Sequence, residues 1–157
     1  MTTTPEAPSV TDHIFAGGPV EDVTGRRQLA VEGAPVTVLV VDDSPVFRRG
    51  MTRAVQTHAG LHLIGEASSG ITALEAIVRL APDVVLLDLR MPDLDGLGVL
   101  ERLHELDPQS TTKIVILSAS LDEDLEASAC AAGAVACLGK EHARADICAA
   151  VVRLARE

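Results

Sequence analysis

The sequence predicts an α/β domain: a parallel five-stranded sheet with helices on both faces. Three observations carry this. Five short apolar runs rich in Val, Leu and Ile alternate with five longer segments of helical period. The links are short, and strict alternation with short links builds β-α units rather than hairpins. The first run, Val36-Thr37-Val38-Leu39-Val40-Val41, is apolar and β-branched almost without a break, as in a strand buried on both sides.

The elements follow in order. The first strand ends at Asp42-Asp43, and Ser44-Pro45 then supplies a helix N-cap and a first helical residue with its φ preset. The helix behind it is expected to turn Val46, Phe47, Gly50, Met51, Ala54 and Val55 inward. Gly60 breaks the chain, and Leu61 to Ala67 reads as the second strand. Ile71 to Leu80 is a helix with Leu74, Ile77 and Val78 inward, stopped by Ala81-Pro82-Asp83. Val84 to Asp88 is the third strand, and a helix from about Leu97 to Leu106 precedes Asp107-Pro108. Lys113 to Ser118 is the fourth strand. Asp122 to Ala132 is an Ala-rich helix closed by Gly133. Ala134 to Leu138 is a short fifth strand reaching Lys140, and Ala143 to Arg156 is the last helix, with Ile147, Val151 and Leu154 inward.

Composition narrows the function. The 157 residues suit one domain plus a tail, and 47% of them are apolar, enough for a full core. With two Phe and no Tyr or Trp, that core must be aliphatic. A net charge of −10 argues against direct binding to nucleic-acid phosphates, which needs Lys and Arg on one face. No run of about 18 apolar residues suggests a membrane span, and no secretory signal is visible. Cys130, Cys137 and Cys148 sit in Ala-rich apolar segments without zinc-site spacing, so all three are expected to be buried reduced thiols. A cytoplasmic protein is expected. Residues 1–35 are rich in Thr, Pro, Gly and acids with no sustained period, and are expected to be a disordered tail. His13-Ile14-Phe15 within it is a candidate docking element.

The strand ends carry the chemistry. In open α/β sheets, ligands bind outside the carboxyl ends of the strands. Strand one delivers Asp42 and Asp43 there, strand three Asp88, strand four Ser118, and strand five leads to Lys140. Strand two delivers Glu66-Ala67-Ser68, to which no role is assigned. Asp88 ends the apolar run Val84-Val85-Leu86-Leu87, where desolvating a carboxylate costs several kcal/mol unless it is paired or solvated. Three carboxylates in one crevice raise each other's pKa, and a hard divalent cation such as Mg²⁺ removes the conflict. A carboxylate there can attack a phosphoryl group and form an aspartyl phosphate. The Lys140 ammonium and the Ser118 hydroxyl suit the charge on the transferring oxygens.

These residues closely resemble the receiver domains of two-component response regulators. The resemblance covers about Val36 to Arg156, within a domain taken as residues 36–157. Its carriers are Leu39-Val40-Val41-Asp42-Asp43, Asp88 through Gly96, Leu117-Ser118-Ala119, and Gly133-Ala134 through Lys140. It implies a flavodoxin-like (βα)5 doubly wound sheet of order 2-1-3-4-5, the order of the chemotaxis receiver. It implies that Asp88 accepts phosphate from a histidine kinase or phosphotransfer protein, and that Asp43 binds Mg²⁺ with Asp42 helping directly or through water. The Arg90 carbonyl would be a further metal ligand, Lys140 would contact the carboxylate or phosphate, and Ser118 would move toward the phosphoryl group. The segment Asp43 to Gly50 is most similar to receivers whose regulators carry a helix-turn-helix output domain.

Three departures from the family pattern matter. Cys137 stands three residues before Lys140, where receivers usually carry Tyr or Phe. Glu141 replaces the proline that commonly follows the Lys, so a trans Lys140–Glu141 peptide or a reshaped loop is expected. The sequence ends at Glu157, without the roughly 60 further residues of an output domain. The leading expectation is therefore a stand-alone receiver that signals through protein contacts, to a downstream target or a second copy of itself. Its output face would be the fourth helix, fifth strand and fifth helix. Three alternatives compete: a phosphorylation-independent interaction module, a truncated DNA-binding regulator, and a Mg²⁺-dependent phosphohydrolase. The last wants an Asp two residues after the nucleophile, where Arg90 stands.

Overall fold

The computed structural model describes residues 33–157; the expected tail and the His13-Ile14-Phe15 element lie outside the described residues, save for residues 33–35. Five strands and five helices alternate: β1 Val36–Val41, α1 Pro45–Thr57, β2 Leu61–Ala67, α2 Gly70–Leu80, β3 Val84–Asp88, α3 Gly96–Leu106, β4 Lys113–Ser118, α4 Glu123–Ala131, β5 Ala136–Gly139 and α5 Arg144–Ala155. All strand pairs are parallel, in the order β2-β1-β3-β4-β5, as expected.

The apolar strands sort by parity, because successive side chains leave a strand on opposite faces. Val38, Val40, Val84, Leu86, Val115 and Leu117 pack with Met51, Val55, Ile147 and Val151 beneath α1 and α5. Leu39, Val41, Val85, Leu87, Ile114 and Ile116 pack with Ala73, Leu74, Ile77, Val99 and Leu103 beneath α2 and α3, where Ala129 of α4 joins them. Both faces of the central strands are thus buried, which is why those runs carry no polar alternation.

The helix starts follow local chemistry. Ser44 caps α1 by accepting the Phe47 amide, and Pro45 opens the helix. Asp95 caps α3 through the Gly98 amide, and Asp122 caps α4 through the Leu125 amide. The start of α2 is capped by two residues. Ser69 accepts the Thr72 amide, while the Asp93 carboxylate accepts the amides of Gly70 and Ile71 at 3.1 Å each. That ties the loop after β3 to the start of α2. Only glycine fits at position 70, since a Cβ there would collide with the Leu94 carbonyl oxygen.

Some expected details are corrected. Val46 is 73% exposed and Val78 53% exposed. Val46 lies five residues before Met51, on the far side of α1. The buried stripe of α2 runs through Gly70, Ala73, Leu74 and Ile77, which leaves Val78 on the flank. Cys130 is exposed rather than buried, because α4 turns only Ala129 fully into the core. The fifth strand starts later than expected, since the Ala134 amide is used to close α4 against the Ala129 carbonyl. The Lys140–Glu141 peptide is trans, as expected where no proline follows.

Candidate functional site

Parity also builds the site. Asp42 continues the set Val38, Val40; Asp88 continues Val84, Leu86; Lys140 continues Ala136, Leu138. All three therefore emerge at the carboxyl edge of the sheet on the α1/α5 side. Ser118 continues Ile114, Ile116 and belongs to the opposite side.

The acids converge. Asp42, Asp43 and Asp88 each offer a carboxylate oxygen, and these oxygens all lie within 4.8 Å of one another. Asp42 is 1% exposed and Asp88 5% exposed, while Asp43 faces solvent. Lys140 bridges the two buried acids, with Nζ 2.7 Å from Asp42 Oδ2 and 3.1 Å from Asp88 Oδ1. Asp42 Oδ1 accepts the Ser44 amide at 2.8 Å. Asp42 Oδ2 has no hydrogen-bond donor: Lys140 approaches it closely but off hydrogen-bond geometry, so the contact is an ion pair. A buried, unsatisfied carboxylate oxygen beside two further carboxylates fits a hard divalent cation, which takes oxygen ligands.

Electrostatics follow from this crowding. Burial first, and the Asp42 charge second, push the Asp88 carboxyl up to about 6 against the opposing pull of Lys140. Burial pulls Lys140 down, but the Asp42 and Asp88 carboxylates outweigh it and hold the ammonium above the usual lysine value. Lys140 therefore stays charged at the site.

Other residues shape the surroundings. An open cleft is lined by Asp43, Arg90, Met91, Pro92 and Asp95, which sets Arg90 beside the exposed acid. Gly96 packs directly behind Asp88; a Cβ there would stand 2.9 Å from the Asp88 carbonyl oxygen. Arg48 donates to the Asp42 carbonyl at 2.7 Å and pairs with Glu66 at 3.0 Å, which gives Glu66 a structural partner. Ser118 stands apart from the acids, buried, its hydroxyl oxygen accepting the Ser120 amide at 3.1 Å. Its carbonyl accepts the Lys140 amide at 2.8 Å, which fixes where Lys140 leaves the sheet.

Sequence reasoning read Phe47 only as a core residue of α1. Its ring centroid lies 4.5 Å from Lys140 Nζ and 5.2 Å from Arg144 Cζ. The available signal was its place one turn after Asp43, at the helix start beside the acids.

With five parallel strands, a carboxylate trio and a lysine at one edge, the molecule is a receiver by both fold and site. The chain belongs to the response regulator receiver domain family, which matches residues 38–152. It is 41% identical over 112 residues to a protein-glutamate methylesterase/protein-glutamine glutaminase of Myxococcus xanthus, covering 71% of this chain and 32% of that protein. Among solved structures it is similar to the signal receiver domain of the response regulator NarL from Mycobacterium tuberculosis. That likeness has a TM-score of 0.73 and 36% identity, and covers 78% of this chain and 97% of the other. It is also similar to a chain of the CheX–CheY–BeF3–Mg²⁺ complex from Borrelia burgdorferi, with a TM-score of 0.70 and 28% identity over 78% of this chain and 90% of that one. The chain spans about a third of the methylesterase and 55% of full-length NarL. A receiver domain is a phosphoacceptor signalling module, and the Asp42, Asp43, Asp88 cluster is typical of Mg²⁺ binding. No helix among the described residues is long and apolar enough to cross a membrane.

Proposed function

We propose that Asp88 accepts a phosphoryl group from the phosphohistidine of a histidine kinase or phosphotransfer protein, and that the chain signals by protein contact. The observation that carries this is the convergence of Asp42, Asp43 and Lys140 on Asp88. In the transfer, an Asp88 carboxylate oxygen forms the new O–P bond as the P–N bond to histidine breaks. The departing imidazole nitrogen keeps the bonding electron pair, and because the other ring nitrogen carries a proton the histidine leaves as neutral imidazole. Asp88 reacts as the carboxylate, the form present above its raised pKa. Lys140 stays protonated and stabilises charge on the transferring oxygens. Asp43, Asp42, Asp88 and the Arg90 carbonyl are the groups that would hold Mg²⁺, which when bound neutralises phosphoryl charge. Ser118, whose hydroxyl oxygen accepts the Ser120 amide, would swing its hydroxyl toward the new group. The output face would be α4–β5–α5.

The test is labelling by acetyl phosphate with Mg²⁺. Wild type is expected to incorporate phosphate in an acid-stable, hydroxylamine-sensitive linkage, and Asp88→Asn to incorporate none. Equal absence of label in both would overturn the reading.

One observation favours a second reading, a receiver fold that works without phosphate. Cys137, at the place of the usual aromatic, is buried in the α2/α3 face of the core and offers no ring to rotate. Calorimetric titration with Mg²⁺ separates the two readings, since a phosphorylation-independent module has no need to bind the ion.

A further inference from the structure

Phe47 is the only Phe, Tyr or Trp among the described residues. The core is otherwise packed from Val, Leu, Ile, Met and Ala with two cysteines, Cys137 and Cys148. Phe47 packs at the margin of the α1/α5 core cluster, and its ring also stands against Lys140, the cation that touches both buried acids.

Lysine carries a flexible four-carbon stem and no preset fork, so an ammonium needs neighbours to fix its place. Its charged neighbours here compete, with Asp42 nearer than Asp88. A phosphoryl group on Asp88 adds anionic oxygens, toward which the ammonium must turn without being lost to solvent. An aromatic face suits that turn. It attracts the cation through its quadrupole and has no single hydrogen-bond direction to break as the cation slides across it. Arg144 shares the ring, and its guanidinium lies against α1 where Gly50 has no side chain: a Cβ there would be 2.7 Å from Arg144 Nε. The guanidinium thus occupies the outer part of the ring's surroundings, while the half-buried ammonium lies on the side of the acids.

We propose that Phe47 is a positioning residue for phosphoryl transfer, holding the Lys140 ammonium over its ring so that it serves Asp88. This rests on the reading of Asp88 as phosphate acceptor. The aromatic that receivers usually carry before the lysine is absent here, and Phe47 acts from another element, on the lysine itself.

The experiment follows labelling rates with acetyl phosphate and Mg²⁺ on the full chain. Phe47→Leu keeps apolar bulk and removes the ring; it is expected to slow labelling by about two- to thirtyfold. Phe47→Tyr restores the ring and is expected to stay within about twofold of wild type. In a Lys140→Met background, Phe47→Leu is expected to have no further effect, because the ring acts through the ammonium. Wild-type rates for Phe47→Leu, or failure of Tyr to rescue a slow Leu variant, would overturn the proposal. So would an equal further loss in the Lys140→Met background. Those outcomes differ from the failure of the acceptor reading, in which wild type itself takes up no more label than Asp88→Asn.

Discussion

Lys140 Nζ sits closer to Asp42 Oδ2, at 2.7 Å, than to Asp88 Oδ1, at 3.1 Å. One cation thus balances two buried carboxylates, and it leans toward the acid that is not the proposed acceptor. Breaking a buried pair by removing one partner is costly, because the other charge is left uncompensated. Lys140→Met is therefore expected to lose about 2–4 kcal/mol of stability in EDTA. Urea unfolding followed by far-UV circular dichroism measures it. Saturating Mg²⁺ is expected to restore more stability to the variant than it adds to wild type, since it supplies charge where the ammonium did. A variant as stable as wild type in EDTA would mean the ion pair does not hold the acids.

Asp88→Asn has the opposite sign. Burial and Asp42 push the Asp88 carboxyl up to about 6, whereas an unfolded Asp titrates near 4. The folded state binds this proton more tightly than the unfolded state. Asp88 therefore favours folding below about pH 4, and that contribution fades as pH rises to about 6. Above that pH the ionised side chain is a liability in the metal-free protein. Asp88→Asn is thus expected to be more stable than wild type by about 1–3 kcal/mol at pH 7.5 in EDTA. The gap should shrink toward zero near pH 4. Thermal melts of the two proteins across pH 4 to 8 give the difference directly, and a gap that does not change with pH would refute the charge argument.

How far the sequence disclosed this site depends on which signals are local. Asp88 was legible because an apolar run stops at an acid, and Asp42, Asp43, Ser118 and Lys140 were legible as the residues next to strand ends. The bounds of β1, β3 and β4 are legible because both faces of those strands are buried, whereas β2, at the sheet edge, is marked by Gly60 before it and by its own partial alternation. The sheet order came from the resemblance rather than from the pattern, since alternation alone leaves strand order open. The lysine–ring contact is not legible: Phe47 and Lys140 lie far apart in sequence and meet only when the fold brings the start of α1 beside the residue that follows β5. Asp93 carries no local signal of a cap, and its role at the N-terminus of α2 appears only when the loop after β3 folds back onto Gly70. Val46 and Val78 are apolar yet lie off the buried stripes of α1 and α2, because helical phase and not hydrophobicity alone decides which side chains face the core.

The thiols test the packing of the proposed output face. Cys130 is exposed on α4, whereas Cys137 on β5 and Cys148 on α5 are buried. Burial first, then the nearby Cys130 and Glu126, push the Cys137 thiol up to about 11, and burial raises Cys148 as well. The thiolate is the reacting form, so both inaccessibility and a raised pKa protect these two. Native protein at pH 8 is expected to give one fast thiol with a disulfide reagent such as Ellman's, and the other two only slowly. Urea should release all three. Cys130→Ser should abolish the fast phase alone. Two fast thiols in the native protein would mean that α4 does not seal β5. The same slow phase reads the signal: if α4–β5–α5 carries it, phosphorylation should change the rate at Cys137 in wild type and leave it unchanged in Asp88→Asn.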